Sequence, residues 1–188
     1  MKQVVIFASG SGSNAQKIIE YFYTSGIARV VMVFSNRKDA YVLQRANKLN
    51  VPAIVFDRVG FYENDFIFNQ LININPDLIV LAGFLWKVPE KIVNTFSKRI
   101  INIHPALLPK YGGKGMYGEY VHRAVIENRE KESGITIHYV NENYDKGAII
   151  FQATCEVGNN DTPENLAEKI HALEHKYYPK IIEQVLLM

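Results

Sequence analysis

The 188-residue chain has one cysteine, Cys155, so it can form neither an internal disulfide nor a cysteine-based metal cluster. That scarcity fits a reducing cytosol and sets the expectation of a cytoplasmic protein. Charge of one sign is lacking too: 21 Lys and Arg against 19 Asp and Glu leave a formal net charge of +2. Cations so evenly balanced and dispersed argue against nucleic acid or an anionic membrane as partner, and leave room for a small anionic ligand. Long hydrophobic runs are missing; Val4-Val5-Ile6-Phe7-Ala8 is too short for a signal segment or a membrane span. The chain has no GxxxxGK[ST] loop for a nucleoside triphosphate and no GxSxG elbow for a serine hydrolase. His122, His138, His171 and His175 lack the HExxH-like spacing of a zinc site, and the i, i+4 pair His171/His175 fits a helix surface, so no metal is expected.

What is present alternates. Apolar β-rich segments near 3–8, 30–35, 53–56, 78–82 and 100–103 are separated by helical patterns, the sign of a parallel α/β sheet with both faces covered. Ser13 or Asn14 is placed to cap the first helix and Asp39 the second, and Pro89 stands where a first-turn proline belongs. After residue 130 the order changes: 135–140 and 148–155 read as adjacent strands around the turn-forming loop NENYDKG at 141–147. A closing helix is expected from the Asp161-Thr162-Pro163-Glu164 start to about Leu186. With about half its side chains apolar and no internal repeat or low-complexity linker, the chain reads as one domain, 1–188.

Three stretches carry chemistry. ASGSGSNAQ at 8–16 follows the first strand and opens a helix, where Gly10 and Gly12 allow close backbone approach and Ser11, Ser13 and Asn14 add donors at the positive end of the helix dipole. A dinucleotide would want a carboxylate ending the second strand; the first there is Asp39, behind two cations, so a phosphate monoester fits better. INIHPALLPK at 101–110 ends a strand with Asn102 and His104 on one face, just before two prolines. An asparagine amide can donate to a developing oxyanion, and a histidine can move a proton or, as imidazolium, stabilise that oxyanion. A carboxylate such as Asp145 would orient that imidazole and raise its pKa. Finally, PALLPKYGGKGMYG at 105–118 has no periodicity and the length of a functional loop.

SGSGSN, FSNR, LAGFLWKVP, INIHPALLPKYGG, GITIHYVNENYDKGAII and HALEHKYYP together resemble the phosphoribosylglycinamide formyltransferase family of folate-dependent enzymes, over nearly the whole chain. The resemblance implies a Rossmann-like three-layer α/β fold with a mostly parallel mixed sheet. It also implies formyl transfer from 10-formyltetrahydrofolate to the amine of 5-phosphoribosylglycinamide in purine synthesis, through a tetrahedral intermediate, without a metal. Asn102, His104 and Asp145 match the catalytic residues. Gly10, Ser11, Gly12, Ser13 and Asn14 match the phosphate loop, and Glu174 an acid that contacts the acceptor's glycinamide end. Leu85, Trp86, Lys87 and Val88 match one wall of the folate pocket; Asn102 and the run Asn141, Glu142, Asn143, Tyr144 and Asp145 match another. The expected division is a ribonucleotide-binding half, 1–100, and a catalytic and folate-binding half, 101–188. Small-molecule substrates are the expected partners, the protein being a monomer or homodimer.

Two departures stand out. Ungapped counting puts Gly60 where many relatives carry a phosphate-binding arginine, and Arg58 is the nearest substitute; KYGGKGMYGEYVH is longer than the family's usual KYPGLHTH. Rival readings are a transfer-RNA or sugar-nucleotide formyltransferase, a deformylase, and a non-catalytic nucleotide-binding module. The transfer-RNA formyltransferase and the deformylase would require extra domains that this chain is not expected to have.

Overall fold

The computed structural model describes residues 1–143 and 145–188. Five parallel strands, β1 (Lys2–Phe7), β2 (Ala28–Ser35), β3 (Ala53–Val55), β4 (Leu78–Leu81) and β5 (Ile100–His104), are joined by crossover helices. These are α1 (Ser13–Ser25), α2 (Tyr41–Lys48), the short pair α3 (Arg58–Tyr62) and α4 (Phe66–Ile74), and α5 (Glu90–Thr95). A further helix, α6 (Glu119–Glu127), leads into the antiparallel strands β6 (Glu132–Tyr139) and β7 (Ile149–Glu156), and α7 (Pro163–Leu187) closes the chain. The sheet order is β3-β2-β1-β4-β5-β6-β7, the mixed, mostly parallel arrangement expected.

Both faces of the sheet are buried, which is why its central strands read as unbroken apolar runs. Val4 and Ile6 join one core with Ile18, Phe22, Ile101, Ile137 and the α7 residues Ile170 and Ile182. Val5 and Phe7 join the other, with Phe34, Phe56, Phe61, Ile79, Ile92 and Phe96. Tyr178 is fully buried on α7, and its hydroxyl donates to the Leu81 carbonyl at 2.9 Å, tying the last helix to the end of β4.

The helix starts differ from expectation. Gly12, not Ser13 or Asn14, is the N-cap of α1, in the left-handed region at φ 73°; a Cβ there would also run into Val42. Freed from capping, Asn14 reaches across to α7. Ala40 precedes α2 without a side-chain cap, because Asp39 is taken by Arg37 in two hydrogen bonds of 3.2 and 2.9 Å. Pro89 is the N-cap of α5 rather than a residue of its first turn. Thr162 does cap α7, in a reciprocal box with Asn165. Gly147 lies so close to β6 that a Cβ there would collide with the Tyr139 carbonyl.

Candidate active site

The parallel strands β1, β4 and β5 end at one edge of the sheet, where an open α/β sheet forms its ligand crevice. There a cleft of about 660 Å³ opens. Its floor is the end of β5. The register sets Asn102 opposite His138 and His104 opposite Thr136 on β6, so the antiparallel pairing places a second histidine beside the expected pair.

Two carbonyl contacts fix the protonation pattern. His104 Nε2 lies 2.7 Å from the Tyr111 carbonyl, which can only accept, so Nε2 carries a proton and Nδ1 faces Asp145 Oδ2 at 3.7 Å. His138 Nδ1 likewise donates to the Tyr139 carbonyl at 2.9 Å. Its Nε2 then meets the Asn102 amide at 3.2 Å and Asp145 Oδ1 at 3.5 Å. Asp145 itself sits at φ 52°, uncommon for a residue with a Cβ, and accepts the Gly113 N–H at 2.9 Å. The 105–118 loop is thereby joined to the β6–β7 hairpin. Its first part is pinned by buried Thr136, whose hydroxyl donates to the Ala106 carbonyl at 2.7 Å and accepts the Leu108 N–H at 3.0 Å. Tyr111 is held by its own hydroxyl, which donates to Glu130.

Burial and charge oppose each other here. Burial lowers the His104 pKa below the ordinary imidazole value, outweighing the Asp145 carboxylate and the Tyr111 carbonyl that would raise it. The expected raised pKa is therefore corrected: His104, only 4% exposed, rests neutral with a lone pair on Nδ1. Burial also works to raise Asp145, but its contact with the His138 ring and the hydrogen bond from the Gly113 amide hold it below the usual carboxylate range.

At one end of the cleft lie Gly10, Ser11, Gly12, Ser13 and Asn14. The loop's outer carbonyls are already engaged, Ser11 by Arg45 Nε at 2.8 Å and Gly10 by the Val42 amide at 3.1 Å. Asn14 Nδ2 donates to Glu174 Oε2 at 2.8 Å, linking the first helix to the last. Burial raises the Glu174 pKa against the lowering effects of Asn14 and His171. Arg37 also lines the cleft.

The other wall is apolar. Leu85, Trp86, Lys87 and Val88 line it, braced by the Leu85 N–H donating to Ser9 Oγ at 3.0 Å and the Tyr62 hydroxyl donating to the Lys87 carbonyl at 2.9 Å. Trp86 packs against Phe56, Phe61 and Tyr62. Val140, Asn141, Asn143 and Asp145 face it; Glu142 is not among the lining residues, and Tyr144 lies outside the described residues.

Arg58 does not line this cleft. Its guanidinium lies over Tyr62 and Trp86, 5.3 and 5.4 Å from the ring centroids, in a neighbouring depression shared with Lys38. Arg37 is the arginine that the fold brings to the cleft. His138 and Arg37 were both missed by sequence reasoning. For His138 a signal existed, since it alternates with the core residues Ile135 and Ile137 and so shares the opposite face of its strand. Among the described residues, no group of three or more His, Cys, Asp or Glu side chains is arranged to hold a metal ion, and no helix is long and apolar enough to cross a membrane.

Comparison with known proteins agrees with this geometry. Residues 2–182 match the formyl transferase family. The chain is 41% identical over 187 residues to the chloroplastic phosphoribosylglycinamide formyltransferase of Arabidopsis thaliana, a match spanning 96% of this chain and 64% of that protein. With phosphoribosylglycinamide formyltransferase of Haemophilus influenzae the identity is 38%, over 97% of this chain and 86% of the relative. The crystal structure of the Anaplasma phagocytophilum phosphoribosylglycinamide formyltransferase superposes with a TM-score of 0.91 at 34% identity, covering 99% of this chain and 87% of that one. With the strand-end cleft, the family match and these relatives in agreement, the chain belongs to the formyl transferase family, among its phosphoribosylglycinamide formyltransferases.

Proposed function

We propose that this enzyme transfers the formyl group of 10-formyltetrahydrofolate to the amine of 5-phosphoribosylglycinamide in purine biosynthesis. The observation that carries the reading is one cleft holding a phosphate-type loop at one end, an aromatic wall at the other, and Asn102, His104, His138 and Asp145 between them. The wall suits a flat heteroaromatic donor: Trp86 and Val88 supply apolar surface, and Asn141 and Asn143 supply polar edges. The loop and Arg37 suit the acceptor's phosphate, while Arg58 stands too far round the Trp86 edge for that role. The relatives include chloroplastic proteins, so a cytoplasmic location is part of this proposal.

When bound, the folate supplies an activated formyl carbon. Asn102 Nδ2 donates to the oxyanion that develops as the amine attacks. His104, its Nε2–H spent on Tyr111, has Nδ1 free to take the proton that the attacking nitrogen must lose. Asp145 steadies the imidazolium so formed, and His104 returns the proton toward the leaving nitrogen. His138 aligns Asn102 and Asp145.

The test is a spectrophotometric assay of purified protein with the ribonucleotide and 10-formyl-5,8-dideazafolate. Turnover that requires the amine and vanishes in His104→Ala is the expected result; folate release without the ribonucleotide would identify a hydrolase instead. Because the neutral imidazole is the active form, the acid limb of kcat/KM should lie below the ordinary imidazole pKa of 6.5, activity falling as pH drops through it. A rate that rises as pH falls through that range would make the imidazolium the active species.

A further inference from the structure

The proposed mechanism leaves one buried histidine of the cleft unused. His122, on α6, is 4% exposed and lines the cleft. Among the described residues, its Nδ1 is sealed from solvent with no hydrogen-bond partner, and no hydrogen bond engages Nε2, so Nε2 is the ring atom left to meet the cleft. A core histidine normally has its nitrogens satisfied, since an orphaned polar atom is costly. Orphaned N–H groups are rarer than under-used acceptors. The tautomer follows: Nδ1 keeps the lone pair, and the proton is on Nε2.

The surroundings keep this ring neutral. Burial drives its pKa down to about 4, and the nearby His171 and His104 would further oppose a positive charge. His122 therefore offers one uncharged donor. The helix packed against α6 is α7, which brings His171 and Glu174 to the same cleft. Asn14 Oδ1 is a second buried atom without a partner, and its amide is bound to Glu174. The acceptor end thus holds an unmatched donor, the Nε2–H, in a mostly buried wall. The oxygen of a sugar hydroxyl is a neutral acceptor suited to it.

We propose that His122 is a specificity-determining residue for the acceptor, donating its Nε2–H to a hydroxyl oxygen of the ribonucleotide's sugar. The inference rests on the ribonucleotide being the acceptor, as proposed above. It gives His122 a part in binding and none in proton transfer.

The test compares His122→Phe, His122→Asn and His122→Gln with the wild type. The Gln amide nitrogen can overlay imidazole Nε2, whereas the Asn amide nitrogen overlays Nδ1. KM for the ribonucleotide should rise about tenfold in the Phe and Asn variants, the loss expected for one hydrogen bond, and most of it should be recovered in Gln. KM for the folate and kcat should stay within about twofold of wild type. Thermal melts without ligand separate folding from binding: Phe removes an orphaned polar atom and should melt no lower than wild type. An acceptor lacking a sugar hydroxyl should lose the same factor with the wild type and nothing further with the Phe variant. An unchanged ribonucleotide KM in Phe, equal losses for both substrates, or a Gln variant as impaired as Phe would each overturn the assignment. Absence of wild-type turnover with the ribonucleotide would instead bring down the functional reading and this inference with it.

Discussion

The two ends of the cleft are built on opposite principles. The folate-side wall is apolar and finished: Trp86 is packed on three aromatic neighbours, and the backbone around it is braced by Ser9 and Tyr62. The acceptor end is polar and unfinished, with Asn14 Oδ1 and His122 Nδ1 buried without partners and Glu174 raised in pKa by burial. An apolar wall recognises shape and gains by covering its own surface, with little dependence on the placing of single atoms. A polar group that faces the cleft, such as His122 Nε2–H, rewards a ligand that matches it and penalises one that displaces water from it without doing so. The difference teaches that selectivity for the acceptor should be the sharper of the two, because a near-miss acceptor leaves polar groups unpaired while a near-miss donor only loses contact area.

The comparison can be broken or sharpened by substitution. The largest effect should come from the centre, which belongs to neither end: Asp145→Asn is expected to lower kcat roughly a hundredfold or more, leaving both substrate affinities broadly intact. Steady-state kinetics would contradict this if the variant turned over at near-normal rate. Gly12→Val forces a branched side chain onto φ 73° and into Val42, and should weaken the ribonucleotide about thirtyfold while barely changing the folate. Calorimetry with each ligand separately would reject the assignment of ends if both losses were equal. Trp86→Ala should do the reverse on a smaller scale, about a tenfold loss of folate affinity from the missing aromatic surface. It removes one of the two rings that Arg58 contacts as well, so Arg58→Ala measured alongside separates the two effects.

The smallest effect at neutral pH concerns stability alone. His122 binds a proton at about pH 6.5 in the unfolded chain and only near pH 4 in the fold, so unfolding takes up a proton and stability falls as pH drops through that interval. The full loss is about 3 kcal/mol. Denaturant melts of His122→Phe should flatten this part of the acid profile; an unchanged slope would place the titration elsewhere.

Much of the fold was legible because each strand carries its own apolar signature. β1, β4 and β5 are double-faced apolar runs, and Thr162 with Asn165 announces α7. The caps of α1 and α2 were misjudged for a common reason: local sequence shows which side chains could cap, not which are engaged elsewhere. Asn14 is taken by Glu174 and Asp39 by Arg37. In the site, Asn102, His104 and Asp145 were named from the sequence and lie together, whereas His138 escaped because its place depends on pairing across β5 and β6. Arg58 was drawn toward the phosphate on proximity in sequence alone; its stacking on Trp86 joins segments 28 positions apart, and no local pattern signals that.

The Asn14–Glu174 hydrogen bond spans 160 positions of the chain. A growing polypeptide can pair the first five strands long before α7 has emerged, yet it cannot assemble the acceptor pocket until that last helix docks and Tyr178 finds the Leu81 carbonyl. Under the proposed function, affinity for the ribonucleotide is thus acquired only once α7 has docked, and binding of that substrate can serve as a reporter of that docking.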